Sequence, residues 1–375
     1  MRHSPHSRRC LDAALAGEHN AFNAVRLAAA AAVVVSHSYA LLRGEIVGEP
    51  LSGLTPYTLG QHAVTVFFAL SGLMLARSWD RGRDLRRFVR ARLLRIYPGL
   101  VFCGLVTAFL IGPLATGRGL AAYLTDGATW LYPVLIGLTF NGAALPEVFA
   151  WGPKPGAVNF SLWTIKYEIC AYVAFAAAAL LGLAGRRWCA GLAVAGLAVA
   201  VAVLERLDPV GPLAPAVPAG RFFLAFALGW AAYLWRAQLP LRLDLLAGMA
   251  AAAFAVQALL PDLAEVAFVA LAAYGALVLG SRPAGGAARL AARHDLSYGL
   301  YLYGWPVQQL LLPLADWHPL AHALAALGPA LGLAALSWLL VERPFLSLKR
   351  GSGPAPLPTA EPTPPTVPAW QRVQL

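Results

Sequence analysis

The chain has 375 residues, 59% hydrophobic and 13% charged, with a formal charge of +11 and a mean hydropathy of +0.62. Soluble domains carry about a quarter charged residues, so this composition excludes an ordinary soluble protein and points to a membrane protein. The positive charge could suit a nucleic-acid partner, but its distribution along the chain argues against one.

A membrane span needs about 20 mostly apolar residues. Ten segments meet that need: 22–42, 60–79, 93–113, 160–183, 188–204, 218–236, 243–260, 264–280, 297–315 and 321–341. Spans in lipid must satisfy their own backbone, so each reads as helix. The expected fold is an all-α polytopic transmembrane helix bundle of about ten spanning helices. Segment 120–141 is apolar but interrupted by Asp126, Pro133 and Asn141, and reads as re-entrant or interfacial rather than as an eleventh span. Residues 1–21 form a basic N-terminus, 22–348 the membrane domain, and 349–375 a proline-rich tail with too little apolar surface to fold.

With the N-terminus in the cytoplasm, 22 of the 29 basic residues fall on the cytoplasmic side, most densely between Arg77 and Arg95. The other side keeps Arg43, Arg118, Lys154, Arg206 and Arg221. This is the positive-inside asymmetry, and it predicts that both termini are cytoplasmic, with no nucleic-acid role for the charge.

The first span, "AVRLAAAAAVVVSHSYALL", carries Arg26 near its cytoplasmic end and His37 near its outer end. Polar residues inside its apolar run argue against a cleaved signal peptide. Eleven residues is close to three turns, so the two side chains share a face about 16 Å apart along the axis. Arg26 reads either as a snorkelling anchor or as a group facing a cavity. His37 reads either as an interfacial histidine bonded to a backbone carbonyl or as a base for a hydroxyl nucleophile. In the second span, "QHAVTVFFALSGLMLARSW", Ser71–Gly72 is read as a close helix contact. No strand–turn–helix setting is present to make Ser71 a nucleophile.

"RDLRRFVRARLLRIYP" opens the third span with six arginines, most of them topology signals or lipid contacts. Arg92 and Arg95 reach into the apolar run near one face, where two guanidiniums could clamp phosphates. The outer stretch 114–160 carries Trp130, Tyr132, Phe140 and Trp151. Each reads first as an interfacial belt residue, while the loop as a whole is the best place for an acceptor sugar. "VNFSLWTIKYEICAYV" starts the fourth span, with Ser161, Thr164 and Glu168 on one face. The alternatives there are a helix end salt-bridged through Lys166 and a carboxylate at the depth of His37, able to orient it. "DPVGPLAPAVPAG", 208–220, reads as a plain connection. Cys10, Cys103, Cys170 and Cys189 show no metal or redox spacing and read as buried small hydrophobes.

Six motifs in order complete the pattern: Arg26 with His37, "FFALSG", "RLLRIYP", "SLWTIKYE", "SYGLYLYGWPV" and "VERP". Each is short, and their order from Asn23 to Pro344 is what makes the pattern specific. The chain thereby resembles the acyltransferase 3 family of membrane acyltransferases, which includes bacterial O-antigen and exopolysaccharide O-acetyltransferases. The resemblance implies ten core helices in the bacterial inner membrane and an acyl-CoA donor, acetyl-CoA in this reading, from the cytoplasm. It implies no metal, and transfer to a carbohydrate or a lipid-linked carbohydrate on or across the membrane. It also implies His37 as catalytic base, Glu168 as an active-site carboxylate, and Arg92, Arg95 and Arg26 as donor-side residues.

Two departures stand out. The family often has Asp shortly before the first-span arginine; here Asn23 leaves Arg26 without that neighbour. Many members carry histidine where this chain has Gly304. No soluble catalytic domain is expected after the bundle, so the reaction is expected within the membrane. The rival reading is a proton-coupled transporter or flippase using His37 and Glu168 as a relay. Transporters commonly show paired halves with interrupted helices, and no such pairing is visible here.

Overall fold

The structure is a computed structural model that describes residues 10–348 except 17–19, 45–47, 143, 155, 284, 287–290 and 292–293. Arg2, Arg8 and Arg9 of the basic N-terminus and all of the 349–375 tail lie outside the described residues. Among the described residues the regular structure is entirely helical, with only isolated bridges between extended residues.

A short helix α1 (Leu11–Ala16) precedes the first span, α2 (Phe22–Arg43). Helix α3 (Leu59–Asp80) starts at a capping box in which Thr58 and Gln61 satisfy each other's backbone. The buried Glu49 carboxylate adds to that start by accepting from the Leu59 backbone N–H at 2.7 Å. Asp84 caps α4 (Leu85–Val106) by accepting from the Arg87 backbone N–H at 2.9 Å. The helix then runs on through a π-helical turn, Thr107–Ile111, to Ala115.

Segment 120–141 forms two pieces, α5 (Leu120–Thr125) and α6 (Gly127–Thr139), broken at Asp126, which caps α6 through the Ala128 N–H. At 13 residues α6 extends about 20 Å, short of a bilayer core of about 30 Å. Its Tyr132 is buried in the bundle while Trp130 and Leu131 face outward.

The remaining elements are α7 (Ile165–Leu180), entered through a 3₁₀ turn at Phe160–Thr164, and then α8 (Arg187–Leu207) and α9 (Ala216–Leu234). They are followed by α10 (Leu243–Leu259), α11 (Ala264–Gly280), α12 (Ser297–Leu311) and α13 (Pro319–Ser337). Helix α13 continues through a second π-helical turn, Trp338–Glu342.

Each of the ten expected spans is a helix, and seven of the described helices are long and apolar enough to cross a membrane. The other three, α7, α10 and α12, are shorter than read, because turns and prolines break their ends. Asn159 caps the 3₁₀ start before α7, and Pro313 lies in the 3₁₀ turn after α12.

Two helices organise the core. From Ser297 to Gln309 every residue of α12 is buried, packed against α2 and α13. Helix α3 is clamped on α9 where Gly72 and Gly229 let the backbones meet. A Cβ added at Gly72 would stand 2.0 Å from the Phe226 carbonyl oxygen, and one at Gly229 would stand 1.9 Å from that of Ala69. The Ser–Gly pair in the second span is therefore a helix contact, as its sequence indicates. By contrast α8 buries only Ala190 and Val201, and α10 only Ala253, so both lie at the periphery with apolar surface all round. Cys103 is buried, whereas Cys10 and Cys189 are half-buried and Cys170 is exposed on α7. The reading of all four cysteines as buried is corrected on that point: Cys170 lies on the face of its helix turned away from the core.

Candidate active site

A cavity opens between α2, α3, α4, α7 and α12, lined by Phe67, Phe68, Met74, Tyr172, Tyr298 and Tyr301 among others. Four of the five residues singled out in the sequence also line it: Arg26, Arg92, Arg95 and Glu168. They come from three helices whose sequence spacing gave no view of one another.

The three arginines are not equivalent. Arg26 donates to Asp295 at 3.0 Å, and Arg95 donates to the same carboxylate oxygen at 2.8 Å. The Arg95 guanidinium also lies 3.9 Å from Glu342 and over the Tyr298 ring at 5.4 Å. A carboxylate shared by two guanidiniums at a membrane helix end is the pairing that buried charge requires. The charged neighbour for Arg26 is therefore Asp295, supplied from the foot of α12 in place of the acid absent at Asn23. Arg92 is bound more lightly: it donates to Ser78 Oγ at 3.4 Å and faces the rings of Phe88 and Tyr172. Its Nε is buried with no hydrogen-bond partner.

Glu168 accepts from the Tyr172 hydroxyl and from Ser71 Oγ, the latter at 3.4 Å. Lys166 turns away from it, over the Tyr167 ring at 5.0 Å, so the two do not make a salt-bridged helix end. Thr164, one turn before Glu168, bonds the Tyr301 hydroxyl, which in turn donates to the Ser161 carbonyl at 2.7 Å.

His37 lies apart from these groups. It is half-buried on α2 and meets the edge of Trp305, with ring centroids 5.0 Å apart. Its neighbour Ser36 packs against Gly60 at the start of α3. Val64, at the end of the cavity away from Arg92, is one turn further along α3, about 6 Å in rise. Ser71, which touches Glu168, is eleven residues from Gly60, about 16 Å along the axis. The expectation that Glu168 lies at the depth of His37 is thus corrected. The fourth span begins inside the bundle, where Ser161, Leu162 and Thr164 are buried and Asn159 donates to the Leu302 carbonyl at 2.9 Å. That carries Glu168 down to the level of Arg26 and Phe67, whose ring faces the Arg26 guanidinium at 5.9 Å.

Beside His37 lies a polar network that the sequence reading missed. His322 Nδ1 meets Ser38 Oγ at 2.9 Å, and its Nε2 meets the Gln308 carbonyl at 2.9 Å. Gln308 donates to Ser38 Oγ at 2.6 Å and to the Val34 carbonyl at 2.7 Å. His322, Gln308 and Ser38 are fully buried. A Cβ added at Gly304 would stand 2.9 Å from Val34 Cγ2, so any larger residue there requires the Val34 side chain on α2 to shift. Asp295 and Glu342 were also missed, although Asp295 stands just before "SYGLYLYGWPV" and Glu342 lies within "VERP". The available signal was an acid bordering an apolar run, which needs a partner. In segment 114–160, Trp130 is committed to the Leu124 carbonyl at 2.8 Å, and Tyr132 is buried. Of the four aromatic residues noted there, Trp130 and Trp151 are exposed.

Residues 19–339 match the sequence profile of a family described as an acyltransferase domain. The chain is similar to an "O-acetyl transferase" of Shigella phage Sf6, 26% identical over 88% of this chain and 96% of that one. It is 28% identical to "Nodulation protein 10" of Rhizobium leguminosarum bv. viciae, over 89% and 95% of the two chains. It is 31% identical to "Acyltransferase MdmB" of Streptomyces mycarofaciens over 48% of this chain and 44% of that protein. No solved structure gives a significant match.

Proposed function

The chain belongs to the acyltransferase 3 family, whose profile covers residues 19–339, and as a membrane acyltransferase of that family we propose that it acetylates a cell-surface carbohydrate. In this reading the donor is acetyl-CoA from the cytoplasm, and the acceptor is a hydroxyl of a polysaccharide or of its lipid-linked precursor. The protein sits in the bacterial inner membrane with both termini cytoplasmic, which the arginine-rich elbow between α3 and α4 supports.

The observation that carries the proposal is the cavity that runs along α3 from Met74 to Val64, with Arg92 and Arg95 at one end and His37 one turn beyond the other. Arg92, with its unsatisfied Nε, holds donor phosphate. Arg95 and Arg26, tied together through Asp295, set the charge and shape of the mouth. Glu168 serves the donor rather than His37: a carboxylate halfway along the cavity accepts from the amide N–H groups of a pantetheine arm. His37 takes the proton of the acceptor hydroxyl as its oxygen attacks the thioester carbonyl. The new C–O bond forms as the C–S bond breaks, and the departing thiolate takes the proton.

The test uses purified protein in lipid nanodiscs, labelled acetyl-CoA and a lipid-linked oligosaccharide acceptor. His37→Ala should bind acetyl-CoA as the unmodified protein does and transfer at least a hundredfold more slowly, the loss of a general base. Transfer at the normal rate would remove His37 from the chemistry.

A further inference from the structure

We infer that Ser38, Gln308 and His322 are positioning residues, a closed ring of hydrogen bonds across α2, α12 and α13 that fixes the rotation of α2 and with it the direction in which His37 points. The inference rests on the reading of His37 as the base and names what holds that base in place.

Chemistry fixes which groups donate in this ring. A carbonyl only accepts, so His322 Nε2 donates to the Gln308 carbonyl at 2.9 Å. In the uncharged imidazole Nδ1 is then an acceptor, and the Ser38 hydroxyl donates to it at 2.9 Å. Ser38 Oγ in turn accepts from Gln308 Nε2 at 2.6 Å, which returns the chain of bonds to the residue where it began. The Gln308 amide also donates to the Val34 carbonyl at 2.7 Å. The Gln308 carbonyl is open to His322 because α12 tightens at its end. Pro313 has no N–H to offer Gln309, whose carbonyl takes the Leu312 N–H instead and leaves that of Gln308 without its helical partner.

Buried polar bonds also serve as plain glue between membrane helices. What favours positioning is where these bonds fall. Val34 and Ser38 bracket His37 within one turn of α2, about 6 Å in rise. Elsewhere α2 meets α12 and α13 through small apolar side chains such as Ala30, whose contacts have no direction of their own. The His37 ring is met by the edge of Trp305, with centroids 5.0 Å apart and planes at 90°, a contact that a small turn of α2 would open. Trp305 is held in its turn: its Nε1 and the Gln309 Nε2 both donate to the Ala157 carbonyl, at 2.9 and 2.8 Å. One face of α12 thus fixes the indole, and Gln308 fixes the helix that carries the base. Misplacing a reacting group by about 1 Å costs about a hundredfold in rate, so such bonds act on the chemical step rather than on donor binding.

The experiment uses the full chain in lipid nanodiscs with labelled acetyl-CoA and a lipid-linked oligosaccharide acceptor. Gln308→Leu keeps much of the side-chain volume and removes both amide bonds, while Ser38→Ala removes a single oxygen from the ring. In each, kcat should fall about tenfold or more while acetyl-CoA affinity stays within about twofold, the pattern of a lost transition-state alignment. Gln257→Leu, which removes an amide bond to the Leu54 carbonyl elsewhere in the bundle, should leave kcat unchanged. The deciding readout is each substitution made again in His37→Ala. A residue that acts through His37 has nothing left to position there, so the residual rate should fall no further. Normal kcat in either Gln308→Leu or Ser38→Ala would overturn the inference. A fall by the same factor with and without His37 would assign the ring to packing alone and overturn it likewise. Full transfer by His37→Ala itself would instead remove the base reading on which the inference rests.

Discussion

Arg92 and Arg95 sit one turn apart on α4 and keep different company. Arg95 is bound to Asp295 and faces Glu342, so removing it leaves Glu342 buried with the Ser337 hydroxyl but no cation beside it, and Asp295 with Arg26 as its one cation among the described residues. Stripping one partner from a buried ion pair costs about 3–5 kcal/mol. Arg95→Ala should therefore lower the thermal unfolding temperature in detergent as well as donor use. Arg92→Ala should leave unfolding nearly unchanged while acetyl-CoA affinity falls about tenfold or more, the loss of charge-assisted bonds to phosphate. Equal unfolding curves for the two variants would contradict this division. The sequence made both arginines visible because guanidiniums inside an apolar run stand out. It could not show their inequality, because Asp295 lies 200 residues further on in a polar turn. His37 and Arg26 were legible for the same reason. The depth of Glu168 was not, since it depends on how far the 3₁₀ turn at Phe160–Thr164 sinks into the bundle.

Between elements, the contact of α3 with α9 is set by two glycines at which the helix backbones meet. Gly229→Val would press a side chain into the Ala69 carbonyl, and nothing flexible lies there to yield. Overpacking of this kind costs about 1–3 kcal/mol, and more where backbone must move. The variant should unfold at lower temperature and lose cavity residues Phe68 and Ser71 from their places on α3, so that donor binding falls with it. Gly248→Val, in peripheral α10 with open space around it, should change neither. Indistinguishable unfolding of the two variants would remove the glycine contact from the account. The Ser–Gly pair in the second span signalled this packing, but its partner Gly229 carried no mark of its own. Helix lengths were less legible than helix existence. Apolar runs such as 160–183 and 297–315 read as full spans, while capping by Asn159 and the turn at Pro313 shorten the helices within them.

The whole molecule is a bundle whose basic ends gather at one side, where α1, the α3–α4 elbow and the ends of α9, α11 and α13 meet. There Arg236 bonds Asp12, Arg90 bonds the Leu348 carbonyl, and the Ala21 N–H bonds the Gly280 carbonyl. At the opposite side Gln257 reaches the Leu54 carbonyl and Arg206 reaches Asp262. The alternation of charge along the sequence anticipated which ends meet, because arginine-rich loops and helix ends share a side. It did not anticipate the buried ion pair of Arg221 with Glu265, read only as a topological charge. Reporter fusions after Arg90 should read cytoplasmic and fusions after Lys154 should read external; the reverse would place the donor end of the cavity on the wrong side of the membrane. The central claim is that this bundle carries an acetyl group from acetyl-CoA to a surface carbohydrate through His37. Its most direct test is mass spectrometry of surface glycans from a strain lacking the gene, complemented with the unmodified protein or with His37→Ala. One acetyl mass per modified sugar should disappear on deletion, return with the unmodified protein and stay absent with His37→Ala. Glycans that keep their full acetylation in the deletion strain, or regain it with alanine at position 37, would contradict it.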